Sequence, residues 1–141
     1  FDAAGIRNYK TVLLDLSVTH NRNTASDSFF PNDGFDFIIA DVPCSGSGTW
    51  GRNPWEMIVF PESELLHYQQ LQQNILRQIM PRVKASGYLL YITCSVYQSE
   101  NEGAVDFILS NSRLKLQKQG LINGYEHKAD TMFAALFTLP A

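Results

Sequence analysis

Apolar residues recur along this chain in short blocks, separated by polar segments rich in Gly, Pro, Asn and Ser. Four blocks favour β-strands, at residues 11–16, 35–40, 88–93 and 131–139, because aliphatic, β-branched and aromatic side chains dominate them. Residues 114–118 alternate apolar and polar positions, as an edge strand does. The second and third blocks are continuous apolar runs, which are typical of buried parallel strands.

Two further segments have the spacing of amphipathic helices. The first begins at Pro61 and is disturbed by Pro81, and Gly87 is expected to end it. Its predicted core stripe consists of Leu65, Tyr68, Leu71, Leu76, Ile79 and Val83. The second helix is predicted over residues 100–109, with Ala104, Val105, Ile108 and Leu109 facing inward. The Gly and Pro content of residues 41–60 predicts a long loop, and loops of that length are often functional.

Strands and helices alternate along the chain, which ends in two consecutive strands. This order predicts an α/β sheet that is mostly parallel, with an antiparallel C-terminal strand. A chain of 141 residues is long enough for one domain. No stretch approaches the roughly 20 apolar residues of a membrane span, so we expect no membrane association.

Charge and composition narrow the function classes. The net charge is −3 and the pI is about 5.5, so the chain lacks the excess of positive charge that most nucleic-acid binders carry. Two cysteines without a further cysteine framework favour a reducing, cytoplasmic compartment. The three histidines have no Cys/His spacing around them, so no metal site is predicted.

Both cysteines follow a predicted strand, and each lies in a motif. Cys44 belongs to Asp-Val-Pro-Cys-Ser-Gly-Ser-Gly at residues 41–48, and Cys94 to Thr-Cys-Ser at residues 93–95. Ligands of open α/β sheets bind beyond the carboxyl ends of the strands. If the two strands are neighbours, a carboxylate and two thiols converge there and predict a site for nucleophilic chemistry. The alternatives are small buried thiols or a disulfide between them.

These motifs resemble those of the Sun (Fmu) family of RNA (cytosine-5) methyltransferases, which act with S-adenosylmethionine. The likeness continues into residues 71–76, 100–102 and 130–135. It implies a Rossmann-like class I methyltransferase sheet and an RNA substrate, either rRNA or tRNA. Such chemistry requires the target base to leave its stack or to be presented in a single strand.

The resemblance also implies roles for individual residues. Cys94 matches the nucleophile that attacks C6 of cytosine, and Cys44 matches the cysteine that helps to release the methylated base. Asp41 would hydrogen-bond the base edge and, together with Pro43, line the cofactor site. Asp15 matches an acidic position that contacts the adenine of S-adenosylmethionine. The residues expected to contact the RNA are Ser45, Arg52, Thr93 and Ser95.

The chain departs from the family pattern in one respect. It contains neither the glycine-rich cofactor loop nor the acidic residue that binds the cofactor ribose, and a motif lysine is also missing. Residues 1–141 are therefore expected to form a partial catalytic domain that lacks the first strands. By itself such a chain should neither bind the cofactor tightly nor turn over. Its open apolar sheet edge would favour self-association.

Three other functions fit parts of the sequence. An amino-group methyltransferase has a motif similar to residues 41–44, but its chemistry needs no thiol, so Cys94 argues against it. Cys44 could be the nucleophile, as in DNA cytosine methyltransferases with their Pro-Cys motif. A non-catalytic RNA-binding or assembly module is favoured by the missing cofactor loop and disfavoured by the acidic pI.

Overall fold

The computed structural model describes residues 3, 5, 7–18 and 30–141. In these residues the sheet consists of four strands in the order β1-β2-β4-β3. The strands are β1 (Phe35–Asp41), β2 (Val83–Thr93), β3 (Lys115–Ile122) and β4 (Met132–Thr138). β1 and β2 are parallel, whereas β4 is antiparallel to both β2 and β3. The predicted α/β sheet with an antiparallel C-terminal strand is confirmed.

Helices α2 (Glu64–Ile79) and α3 (Glu102–Asn111) pack against each other and cover one face of the sheet. The largest apolar side chains of the core are fully buried and come from both layers: Leu76, Leu89, Tyr91, Ile108, Phe133 and Phe137. Ala104, Val105 and Ile108 face inward as predicted. The prediction for Leu109 is wrong, because its side chain is 41% exposed, about 100° around the helix from Ile108. No described helix has both the length and the apolar character needed to cross a bilayer.

A short helix, α1 (Pro54–Val59), lies inside the segment that the sequence predicts as loop. Pro54 occupies the first turn, where its fixed φ suits a helix and its missing N–H is not needed. None of the α1 residues is buried. The helix therefore has no core-facing stripe for sequence periodicity to detect.

The prediction of a strand at residues 11–16 is wrong, since the structure assigns no strand there. A strand needs a neighbouring strand for its backbone hydrogen bonds, and among the described strands β1 pairs only with β2. Leu14 and Leu16 instead line a cleft beside β1. β1 itself is an edge strand and is not buried on both faces, because Ile39 is 62% exposed.

The boundary between α2 and β2 also differs from the prediction. α2 ends at Ile79, a 3₁₀ turn at Met80–Arg82 accommodates Pro81, and Val83 already belongs to β2. Gly87 lies within β2 and does not end the helix, and a Cβ there would lie 2.8 Å from the carbonyl oxygen of Lys84. This glycine is required by a close approach of two backbones.

Candidate active site

The two cysteines lie side by side at the carboxyl ends of adjacent parallel strands. Cys44 follows β1 and Cys94 follows β2, and the register pairs Asp41 with Ile92 just before the cysteines. The two Sγ atoms are 3.3 Å apart, and both thiols are free and partly exposed. The predicted meeting of the thiols is confirmed.

The backbone of the first cysteine loop is held against the second strand and against the segment before β4. The N–H of Gly48 donates to the carbonyl of Cys94 at 2.9 Å, and the N–H of Thr131 donates to the carbonyl of Gly48 at 3.0 Å. Gly46 adopts a left-handed conformation with φ of 72°, which glycine tolerates without a steric penalty. These main-chain hydrogen bonds hold the loop that carries Cys44 against the segment that carries Cys94.

Burial, together with a smaller contribution from the neighbouring Cys94, raises the pKa of the Cys44 thiol to about 12. Cys44 is therefore a neutral thiol at neutral pH. A neutral thiol can donate a weak hydrogen bond to the sulfur beside it. The Sγ–Sγ distance of 3.3 Å thus brings the proton of Cys44 within hydrogen-bond reach of the Cys94 sulfur.

We expect Cys44 to react with iodoacetamide at least about tenfold more slowly at neutral pH than a cysteine in the urea-unfolded chain, because only the thiolate is nucleophilic. Its rate should continue to rise into strongly alkaline solution. Alkylation of each cysteine across a pH series, read by peptide mass spectrometry, measures this. If steric shielding alone slowed the reaction, the rate would stop rising at the same pH as in the unfolded chain. A rate that reaches its plateau at mildly alkaline pH would therefore contradict the prediction.

Three residues expected to contact RNA have buried side chains. These are Ser45, Thr93 and Ser95, and the last two are fully buried. The Thr93 hydroxyl donates to Oδ1 of Asn101 at 2.6 Å, and the hydroxyls of Ser45 and Ser95 donate to Oε2 of Glu100 at 2.6 and 2.5 Å. In this arrangement their hydroxyls form hydrogen bonds within the protein, next to the two cysteines.

Sequence reasoning missed Glu100 and Asn101 as parts of the site. It placed Glu100 at the first turn of α3, where an acidic residue is commonly solvated. The structure starts α3 at Glu102 and buries both preceding side chains. The only sequence signal was their place in a motif that follows the Thr-Cys-Ser segment.

Arg52, also expected to contact RNA, pairs with Asp130, which lies in the segment before β4. Its Nε and Nη2 lie 2.6 and 2.7 Å from the two carboxylate oxygens, and this contact raises the pKa of Arg52. The pair lines a groove of about 720 Å³ together with Tyr125 and Lys128. Tyr125 is 81% exposed, so an aromatic face borders the groove.

A second cleft, of about 570 Å³, runs beside β1. Its walls are largely apolar and include Leu14, Leu16 and Ile38, and the three predicted cofactor residues, Asp15, Asp41 and Pro43, also line it. The Asp15 carboxylate accepts hydrogen bonds from the backbone N–H and the hydroxyl of Ser17. The structure thus brings the three residues into one cleft on the β1 side of the cysteines.

A family model described as 16S rRNA methyltransferase RsmB/F matches residues 4–138. The chain belongs to the RsmB/F family. The resemblance inferred from the two cysteine motifs is therefore confirmed.

Curated relatives of this RsmB/F chain include human 28S rRNA (cytosine(4447)-C(5))-methyltransferase, which is 36% identical over 97 residues, covering 66% of this chain and 12% of that protein. Ribosomal RNA small subunit methyltransferase B of Yersinia enterocolitica is 28% identical, covering 82% of this chain and 27% of that protein. The chain thus spans about an eighth to a quarter of the length of these relatives.

Solved structures of methyltransferases share the fold of this RsmB/F chain. NSun6 from Pyrococcus horikoshii with SFG superposes with a TM-score of 0.78 at 20% identity, covering 99% of this chain and 37% of that one. A methyltransferase homologue from Pyrococcus horikoshii gives a TM-score of 0.63 at 25% identity, covering 76% of this chain and 40% of that one. The four strands therefore represent part of a Rossmann-like methyltransferase sheet.

Proposed function

We propose that the protein carrying this chain transfers a methyl group from S-adenosylmethionine to C5 of a cytosine in rRNA. The observation that supports this best is the pair of thiols 3.3 Å apart at the ends of adjacent strands, with burial keeping Cys44 protonated. The human relative's name specifies rRNA and the C5 position of cytosine. A thiol pair of this kind has no use in direct methylation of an amine.

In this reaction Cys94 is the nucleophile. Its thiolate forms a bond to C6 of cytosine, and the electrons of the C5–C6 double bond make C5 nucleophilic. C5 then accepts the methyl group that S-adenosylmethionine would supply, and the sulfur–methyl bond breaks to leave S-adenosylhomocysteine. The double bond returns when C5 loses its proton and Cys94 leaves C6. Cys44 assists by giving its proton to the departing sulfur of Cys94 and accepting the C5 proton in its place, so that it ends as a thiol.

The cleft beside β1 fits the adenosine part of S-adenosylmethionine. Its apolar walls suit a flat purine, and the carboxylates of Asp15 and Asp41 supply acceptors for amine and hydroxyl groups. Asp15, Asp41 and Pro43 would hold the cofactor, which when bound supplies an activated methyl group. Asp41 ends β1 next to the Cys44 loop, and this position supports a second role for Asp41 in binding the base edge.

The RNA would approach over the groove that contains Arg52. Lys128 and the partly exposed guanidinium of Arg52 provide positive charge for phosphates, and the exposed ring of Tyr125 offers a stacking surface for a base.

The reduced state of the two neighbouring thiols suits the cytoplasm, where cysteines are kept reduced.

The alternatives meet physical objections. Cys44 is a poor nucleophile at neutral pH because its pKa is raised to about 12. An amino-group methyltransferase leaves the thiol pair without a role. A non-catalytic RNA-binding or assembly module is the second candidate, and trapping of a covalent adduct distinguishes it from the methyltransferase.

Incubating the full natural protein with S-adenosylmethionine and RNA that contains 5-fluorocytosine tests the proposal. Fluorine cannot leave C5 as a proton does, so the covalent adduct should accumulate. We expect the adduct to form with the parent protein and with Cys44→Ala, and to be absent with Cys94→Ala. An adduct that requires Cys44 but not Cys94 would reverse the assignment, and no adduct with any of the three would favour the non-catalytic module.

A further inference from the structure

Glu100 is a fully buried carboxylate, with 0% of the residue exposed. Its Oε1 accepts the backbone N–H of Ser45 at 2.8 Å, and its Oε2 accepts the hydroxyls of Ser45 and Ser95 at 2.6 and 2.5 Å. Ser45 directly follows Cys44, and Ser95 directly follows Cys94. One carboxylate thus binds the neighbour of each cysteine.

The Glu100 carboxylate is itself held in place by the sheet. The hydroxyl of Tyr91, within β2, donates to the backbone carbonyl of Glu100 at 2.7 Å. Gln72 of α2 donates to the carbonyl of Pro43 at 2.9 Å and lies 3.4 Å from Oε1 of Glu100. Glu100 is therefore connected to the core and to both cysteine loops.

Glu100 places a polar side chain in the buried part of the molecule. No ion pair to Glu100 occurs within the described part of the chain, so hydrogen bonds alone must offset the cost of burying this polar group. A neutral side chain of similar size would be cheaper to bury. The hydrogen bonds of Glu100 connect two loops that are 50 residues apart in sequence, and we call this connection the joint. An apolar residue cannot form it.

We propose that Glu100 is a positioning residue that fixes the distance between the Cys44 and Cys94 sulfurs by accepting hydrogen bonds from Ser45 and Ser95. The consequence for catalysis rests on the proposed function: the proton exchange between the two cysteines requires their sulfurs to remain adjacent. The consequence for the thiols themselves does not depend on it. Loosening the joint exposes Cys44 and lowers its pKa.

The test compares Glu100→Gln with the matched control Glu102→Gln in the full natural protein, without RNA. The amide places an N–H₂ where one oxygen accepted hydrogen bonds, while size is conserved. We expect the alkylation plateau of Cys44 to move to lower pH, and its rate at neutral pH to rise at least about tenfold. The control should leave both unchanged. A residue that only fills space would change the melting temperature and leave the pH profile of Cys44 as it was.

Each outcome decides the proposal. An unchanged Cys44 profile in folded Glu100→Gln overturns it. If circular dichroism shows that this variant is unfolded, Ser45→Ala decides instead, because it removes one hydroxyl donor and keeps the carboxylate: faster Cys44 alkylation supports the joint, and an unchanged rate overturns it. Adduct formation on 5-fluorocytosine RNA is then measured separately. Absence of an adduct in the parent protein would refute the methyltransferase proposal and leave the thiol result standing.

Discussion

Replacing Cys94, the proposed nucleophile, with alanine is expected to reduce methyl transfer to RNA by at least about 10³-fold, because the variant cannot activate C5 of cytosine by forming a bond to C6. The rate is measured as transfer of labelled methyl groups from S-adenosylmethionine by the full natural protein. RNA affinity should change little, since the thiol is a small part of the binding surface. The loss should therefore appear in kcat and not in KM.

Cys44→Ala is the matched control, since it removes a thiol whose sulfur lies 3.3 Å from that of Cys94. This variant keeps the nucleophile, so it should still form the bond to C6 and then release the product slowly. We expect the covalent complex with unmodified RNA to accumulate in Cys44→Ala and not in Cys94→Ala. Activity of Cys94→Ala within about tenfold of the parent would exclude Cys94 as the nucleophile.

Gly48→Ala is expected to destabilise the protein by about 3 kcal/mol and to impair the site, because the loop has no room for a methyl group. A Cβ at Gly48 would lie 1.9 Å from the carbonyl oxygen of Thr131 and 3.0 Å from that of Cys94. Both contacts are with main chain, which cannot rotate away. Relief of the overlap must break the hydrogen bonds that join Gly48 to Cys94 and Thr131.

Gly51→Ala is the control for this prediction, because nothing lies within 4 Å of a Cβ at that position. Its effect should stay within about 0.5 kcal/mol. Urea denaturation gives the change in the free energy of unfolding. The fluorescence of Trp50, which packs against Phe60 and Tyr97 beside this loop, reports local opening. Equal stability of the two variants would show that the loop is free to shift.

The meeting of the two thiols was predictable from sequence because it depends on local motifs. A Pro-Cys turn after one apolar run and a Thr-Cys-Ser segment after another require only that the two runs become neighbouring parallel strands. The register pairing of Asp41 with Ile92 meets that condition. Arg52 illustrates the limit of such reasoning. Its loop position was correct, but its pairing with Asp130, 78 residues away, depends on a contact that no local pattern encodes.

The errors in the predicted strands and helices have a common origin, because the tertiary contacts of these segments cannot be read from the sequence. Residues 11–16 have strand composition but pair with no described strand, and α1 has no buried face that periodicity could detect. Val83 and Gly87 were assigned to the end of a helix because Pro81 was read as a disturbance within its last turn. The structure uses Pro81 in a 3₁₀ turn, after which β2 begins.

By itself, then, the sequence determined the alternation of strands and helices, the two thiols at strand ends and the family of the chain. These depend on side-chain periodicity and short motifs, which act over a few residues. Only the tertiary structure decided that Ser45, Thr93 and Ser95 face inward, that burial keeps Cys44 protonated, and that Glu100 joins both cysteine loops. Burial and hydrogen-bond partners are properties of groups brought together from distant parts of the chain, so they exist only once the sheet and its helices are packed.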